Sequence, residues 1–225
     1  MKIFENIEMV RVFGSRTRGD YDEFSDFDII VVYEESNTLN RKEIKKFMEE
    51  KFNSDVSISW YSKTKLDNYF QGGNLFAWHL YLESENIEGL PDNYLKPFFK
   101  PNEYKNYKAD VLSLIRIIDS IITALERDEN NIIYEAGLLY VCCRNIAMSA
   151  SVKLGDKLEF GRYSPFNLTK SKNIFPISKE DYRILIDSRL ASMRGAQPKK
   201  LEHKHILQLA KSAKFWAKKI SLELK

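Results

Sequence analysis

The chain has 225 residues, 44% of them hydrophobic and 30% charged, and carries a net charge of +3. That length fits one or two domains, and that apolar share is enough to build real cores. No run approaches the ~18 consecutive apolar residues of a membrane span. The N-terminal Met1-Lys2-Ile3-Phe4-Glu5-Asn6 lacks a signal-peptide apolar stretch, so a cytoplasmic protein with no membrane partner is expected. No internal repeat or low-complexity tract is present.

In chain order, the β-like run Val10 to Phe13 leads into Gly14-Ser15-Arg16-Thr17-Arg18-Gly19, and Ser25-Asp26-Phe27-Asp28 follows. Residues Asp26 to Tyr33, apolar after the first three, read as a second strand. Asp26 and Asp28 are two apart on it, so both side chains leave the same face. Two carboxylates held side by side repel unless something positive sits between them. The usual occupant is a hard divalent cation with oxygen ligands, commonly Mg²⁺ when phosphates complete its shell. At the Gly-Ser turn, Gly14 lets the backbone approach a phosphate. Exposed N–H groups and the Ser15 hydroxyl can hydrogen-bond it there. A phosphate cradle beside metal-binding carboxylates is the equipment of phosphoryl or nucleotidyl transfer. Either motif alone is commonly just a turn or a solvated strand end; the functional reading comes from the two together, at this spacing and on two predicted strands.

Gly-Ser, a short gap and Asp-x-Asp on the next strand resemble the signature of the DNA polymerase beta-like nucleotidyltransferase superfamily. Gly-Ser-x-x-Arg-Gly with Ser-Asp-x-Asp looks most like the minimal and the antibiotic nucleotidyltransferases, over roughly residues 9–60. The resemblance implies two Mg²⁺ ions, ATP or another NTP as co-substrate, and a third carboxylate on a strand that follows a helix. Residues 40–52 read as that helix, with Leu39, Ile44, Phe47 and Met48 as its apolar stripe. Val56, Ile58 and Trp60 then alternate with small polar residues as a half-buried strand. Asp55 stands where the third carboxylate belongs, as a metal ligand or general base; the alternative is a turn residue between helix and strand. The expected catalytic and metal set is therefore Asp26, Asp28 and Asp55, and the nucleotide-binding set Gly14, Ser15, Arg18 and Ser25. Arg18 is either a phosphate fork or a surface ion pair with Asp20 or Asp22. Asp20, Asp22 and Glu23 read as a solvated loop.

Asn74 to Leu82 reads as a helix in which His79 is packed and hydrogen-bonded, and Gly89-Leu90-Pro91 marks its exit. Lys96-Pro97-Phe98-Phe99-Lys100-Pro101 reads as a linker, which places a nucleotidyltransferase domain at 1–97 and a helical domain at 98–225. Val111, Leu114, Ile115, Ile118, Ile121, Ile122 and Leu125 mark one amphipathic helix. Ile132 to Val152 is apolar nearly all round, hence central. Gly155 to Pro176 reads as a long loop. Two more helices run from Ser178 or Lys179 to Met193, stopped at Gly195, and from Leu201 to Leu224. Four helices imply an antiparallel bundle, and the fold class is α+β. Cys142-Cys143, adjacent in a helical pattern, read as buried free thiols of a reducing compartment.

The second half is similar to the helical partner domain of antibiotic nucleotidyltransferases and to HEPN domains. Some HEPN domains are ribonucleases with Arg and His four to six residues apart, but Arg144-Asn145 is followed by Ser149, Ala150 and Ser151. That departure argues against ribonuclease activity. Arg144 on a central helix needs a partner, either Glu135 or Asp187 on structural grounds or a triphosphate on functional ones. Lys153, Lys157 and Arg162 are further candidates for such a reach.

Residues 1–97 hold 12 Lys and Arg against 18 Asp and Glu, a net of −6; the remainder holds 23 against 14, a net of +9. The basic residues include Lys199-Lys200 and Lys204, and Lys211, Lys214, Lys218 and Lys219 around Phe215-Trp216. A holder of cationic aminoglycosides should offer carboxylates, so this balance leans towards an anionic or nucleic-acid acceptor, although a solvated lysine face is the alternative. The expected activity is Mg²⁺-dependent transfer of a nucleoside monophosphate, AMP from ATP foremost, to a hydroxyl of a small molecule, a tRNA end or a protein, with release of pyrophosphate. The alternative is a catalytically weak, antitoxin-type module that binds nucleotide or a partner. A homodimer is the assembly considered.

Overall fold

The structure is a computed structural model describing residues 2–21, 25–35, 39–94, 100–127, 130–194 and 200–225. Asp22, Glu23, Gly195, Lys199 and the linker positions 96–99 singled out above lie outside the described residues. Two compact units divide the chain, Met1–Lys105 and Asn106–Lys225.

The first unit is built on a four-stranded mixed sheet in the order β3-β2-β1-β4. β1 (Ile7–Phe13) runs antiparallel to β2 (Phe27–Tyr33), with Phe13 opposite Asp28. A four-residue helix, α1 (Ser15–Arg18), lies between them. β2 continues through α2 (Arg41–Phe52) into β3 (Val56–Ser62), which pairs parallel with it and sets Asp28 opposite Ser57. A parallel pair needs such a crossover. The sequence caps α2 at both ends. The Asn40 side chain accepts the Glu43 N–H, and Asn53 takes the left-handed conformation at φ 46°. Helices α3 (Lys63–Gln71) and α4 (Leu75–Glu83) follow, capped by Ser62 and Asn74. β4 (Glu85–Asn86) pairs with the end of β1.

Ile29, Ile30, Val31 and Val32 of β2 are fully buried, because helices cover both faces of the sheet. On one face Val10, Ile29, Val31 and Val56 pack with Ile44 and Met48 of α2. On the other, Met9, Phe13, Ile30 and Val32 pack with Leu66, Phe70, Ala77 and Leu80 of α3 and α4. Alternation along β2 puts Asp28 on this second face, at the end where the apolar packing stops.

The second unit is helical: α5 (Tyr107–Arg127), α6 (Ile132–Leu154), α7 (Lys179–Arg194) and α8 (His203–Glu223). The apolar stripe of α5 is buried as its spacing predicts, and α6, apolar nearly all round, packs against the other three helices. α5 and α8 run antiparallel. His203 bonds the Leu125 carbonyl at one end (2.7 Å), and the Tyr107 hydroxyl donates to the Lys225 carbonyl at the other (3.1 Å). The stretch 155–176 is less of a loop than its composition predicts. It holds a 3₁₀ turn, Ser164–Asn167, and its Phe166 and Phe175 pack edge-on to Tyr182, with Phe175 also against Trp216. Arg144 pins this stretch by donating to the Phe160 carbonyl (2.7 Å), while Asp187 is held by Arg183 (3.0 Å). Burial pushes the Cys142 thiol up to about 12, with the Glu135 charge adding to it, and pushes Cys143 well above its ordinary value. Both thiols are therefore unreactive at neutral pH.

Gly137 is where α6 meets α7: a Cβ there would lie 2.9 Å from the Arg189 Cα. Gly137→Ala would gain about 1 kcal/mol of helix propensity. The close contact is with backbone, so the helices must part, at about 1–3 kcal/mol. The expected outcome is a lower melting temperature for Gly137→Ala; an increase would show that the crossing has slack.

Candidate active site

The site begins where β1 ends. Gly14 sits at φ 84°, ψ −142°, and a Cβ on it would lie 2.6 Å from Asp28 Oδ2. Two constraints therefore demand glycine: a left-handed φ that L side chains resist and a carboxylate in the space a methyl would fill. The Gly-Ser turn and the second aspartate of Asp-x-Asp are thus in contact across the β1–β2 pair. α1 is then wound tightly: Arg18 N–H and the Thr17 hydroxyl both donate to the Gly14 carbonyl, and Gly19, at φ 75°, closes it.

Asp26 immediately precedes β2, one residue outside the predicted strand start, and is half-buried like Asp28; Ser25 before it is buried. Asp55 immediately precedes β3 and is exposed. Its carbonyl accepts the Phe27 N–H (3.2 Å), which sets Asp55 beside the start of β2. The register pairs Phe27 with Val56 and Asp28 with Ser57, so by alternation Asp26, Asp28 and Asp55 belong to one sheet face. Among the described residues, however, no three His, Cys, Asp or Glu side chains come close enough to hold a metal ion. The carboxylates share an end of the sheet without forming a closed cage.

The arginines of the turn are both engaged. Arg16 donates to the Ser25 carbonyl (2.7 Å), and its guanidinium lies over the rings of Tyr21 (4.3 Å) and Phe27 (4.5 Å). It fastens both ends of the segment that links the two motif halves. Arg18 donates to Glu83 of α4 (2.6 Å) and pairs with Asp20 (3.2 Å). The ion pair with Asp20 is one of the two partners read from sequence, and Asp22 lies outside the described residues. Glu83, 65 residues away, had no sequence signal beyond its i,i+4 relation to His79. His79 is packed as expected, against the Phe13 and Phe76 ring edges, and lies 2.9 Å from Glu83. Burial alone would raise the Glu83 carboxyl, but hydrogen bonds from His79 and Arg18 outweigh it and hold Glu83 below its usual range. Burial lowers Arg18, and Glu83 and Asp20 more than restore it.

This geometry defines a class: a mixed sheet in which the antiparallel β1–α1–β2 segment sets a Gly-Ser turn against an Asp-x-Asp pair. Residues 2–79 match the family model of the nucleotidyltransferase domain. Residues 2–79 are accordingly a nucleotidyltransferase domain, consistent with the DNA polymerase beta-like superfamily, and the match supports a transferase of nucleotidyl groups. No curated protein matches the chain.

The Glu83 cluster gives a pH prediction. A carboxyl held low in the folded state stabilises above its unfolded value, near 4.5, and that contribution is lost as pH falls through the folded value. The melting-temperature gap between wild type and Glu83→Gln should be constant above about pH 5 and shrink below it. A gap that widens on acidification would reverse the assignment.

Proposed function

We propose that this chain transfers a nucleoside monophosphate, AMP from ATP foremost, to an acceptor hydroxyl and releases pyrophosphate. The observation that supports it best is the contact between Gly14 and Asp28, which joins the phosphate-binding turn to the paired carboxylates. Gly14, Ser15, Arg18 and Ser25 form the nucleotide-binding set of this reading. The Ser15 hydroxyl and nearby backbone N–H groups hold the β- and γ-phosphates.

The donor set fits a hard divalent ion: carboxylate oxygens from Asp26 and Asp28, with phosphate oxygens to complete the shell. Asp55 serves either as a further ligand or as the base. Bound there, Mg²⁺ supplies neutralisation of charge on the attacking and leaving oxygens. The acceptor oxygen attacks the α-phosphorus, the bond to the bridging oxygen breaks, and pyrophosphate leaves with that bond's electrons. In the base reading, the acceptor proton passes to an Asp55 carboxylate oxygen, a role that contributes typically ~10²–10⁴-fold in rate. The basic balance of residues 98–225 supports an anionic acceptor, such as a nucleic acid, over a cationic one.

The test is incubation of the full chain with each labelled NTP and Mg²⁺, together with RNA, protein and small-molecule acceptors. Asp26→Asn and Asp28→Asn should each abolish labelling of every acceptor, since each removes a carboxylate of the proposed metal-binding pair. ATP with Mg²⁺ should raise the wild-type melting temperature by mass action, and Ser15→Ala should shrink that shift. Normal turnover by either aspartate variant would overturn the mechanism. ATP binding without transfer to any acceptor would favour the antitoxin-type binding module.

A further inference from the structure

Helix α1 has four residues, and a left-handed glycine stands at each end. A helix this short does not hold its own shape. Its last side chain, Arg18, reaches α4, where His79 and Glu83 stand one turn apart on the same face. Glu83 Oε2 accepts from both: 2.6 Å from Arg18 Nη1 and 2.9 Å from His79 Nε2. His79 Nε2 must therefore carry a hydrogen, so its 3.4 Å approach to Arg18 Nη1 is a contact between two donors, not a hydrogen bond. The three side chains are only 17%, 11% and 17% exposed for Arg18, His79 and Glu83. The edges of Phe13 and Phe76 wall the imidazole, so His79 has little room to turn away from Glu83.

We propose that Glu83 and His79 are positioning residues for nucleotide binding. His79 orients the Glu83 carboxylate, Glu83 fixes the guanidinium of Arg18, and Arg18 thereby holds α1 and the Gly14-Ser15 turn in the form that receives the triphosphate. Neither residue touches the reacting atoms; both act through Arg18. Glu83 holds Arg18 Nη1, while Nη2 pairs with the more exposed Asp20 at 3.2 Å, so a phosphate reaches the held guanidinium by displacing Asp20 and not Glu83. The proposal rests on the nucleotidyl-transfer reading above.

The test is steady-state kinetics of the full chain with NTP varied at saturating Mg²⁺, alongside the melting temperature of every variant. Glu83→Gln should raise the KM for NTP about tenfold while kcat stays within about threefold, since the loss is of binding rather than of chemistry. His79→Leu should raise KM likewise. His79→Gln, whose side-chain amide can make the same donation, should restore it even if it melts at the same temperature as His79→Leu. A double-mutant cycle then isolates the route: Arg18→Gln with Glu83→Gln should be no worse than Arg18→Gln alone, because Glu83 has nothing left to position. Additive effects, or a His79→Leu variant with wild-type KM, would overturn the positioning role while leaving the transfer activity standing. Absence of turnover and of NTP binding in the wild type would sink the underlying reading instead. If Glu83→Gln fails to fold, the His79→Leu and His79→Gln pair decides the matter alone.

Discussion

The contact on which the first unit depends is that between the Gly14 backbone and the Asp28 carboxylate. It is possible only because position 14 has no side chain and accepts φ 84°. The pairing of Phe13 with Asp28 makes it unavoidable: the residue after Phe13 must turn away from the sheet beside whatever side chain Asp28 projects. Strand register, turn chemistry and carboxylate position are thus one constraint. A shift of register by one residue would send Asp28 to the opposite face and Gly14 against an isoleucine or phenylalanine. The buried run Ile29–Val32 resists that shift, because its side chains on both faces are locked into helix-covered cores.

Two arginines then stabilise what the strands bring together, in different currencies. Arg16 spans between aromatic rings and the Ser25 carbonyl, so its charge is met by π-faces and a backbone dipole. Arg18 is met by full carboxylates, Glu83 and Asp20. The first joins the turn to the start of β2 within one stretch of chain. The second joins it to α4, which packs on the same sheet face. The turn is braced on two sides by residues that the motif itself supplies.

What was legible in the sequence was local. Gly14-Ser15 and Asp26-x-Asp28 could be read because their chemistry lies within fifteen residues and each motif sits at the end of a short apolar run. The α2 and α5 stripes and the central place of α6 were legible for the same reason: pattern over a few turns decides them. Helix α3 was not read, since only Leu66 and Phe70 are buried in it and two anchors among polar residues set no period. β4, two residues long, exists only because β1 offers an edge to pair with. The partner of Arg18 lies 65 residues away, and charge alone could not choose Glu83 over nearer acids such as Asp20. Ser164 and Phe160, which bond the Arg144 backbone and side chain, sit in a stretch whose Gly and Pro content reads as loop. In each missed case, tertiary packing, not local preference, selected the outcome.

The two acids on Arg18 are unequal, and the difference bears on how a phosphate could reach it. Glu83 is 17% exposed and held by His79 as well, whereas Asp20 is 37% exposed and sits on the turn after Gly19. An exposed pair is worth about 0–1 kcal/mol, since water competes well for both ions. A half-buried, doubly hydrogen-bonded carboxylate is harder to displace, because removing it strands a charge in low dielectric. An incoming phosphate, itself an acceptor of guanidinium N–H groups, would therefore exchange with Asp20 and leave Glu83 in place. Within the proposed reading, the arginine is held from the protein side and loosely screened from the solvent side. That is the arrangement a binding group needs if its charge is to be oriented before the nucleotide arrives and still be available when it does.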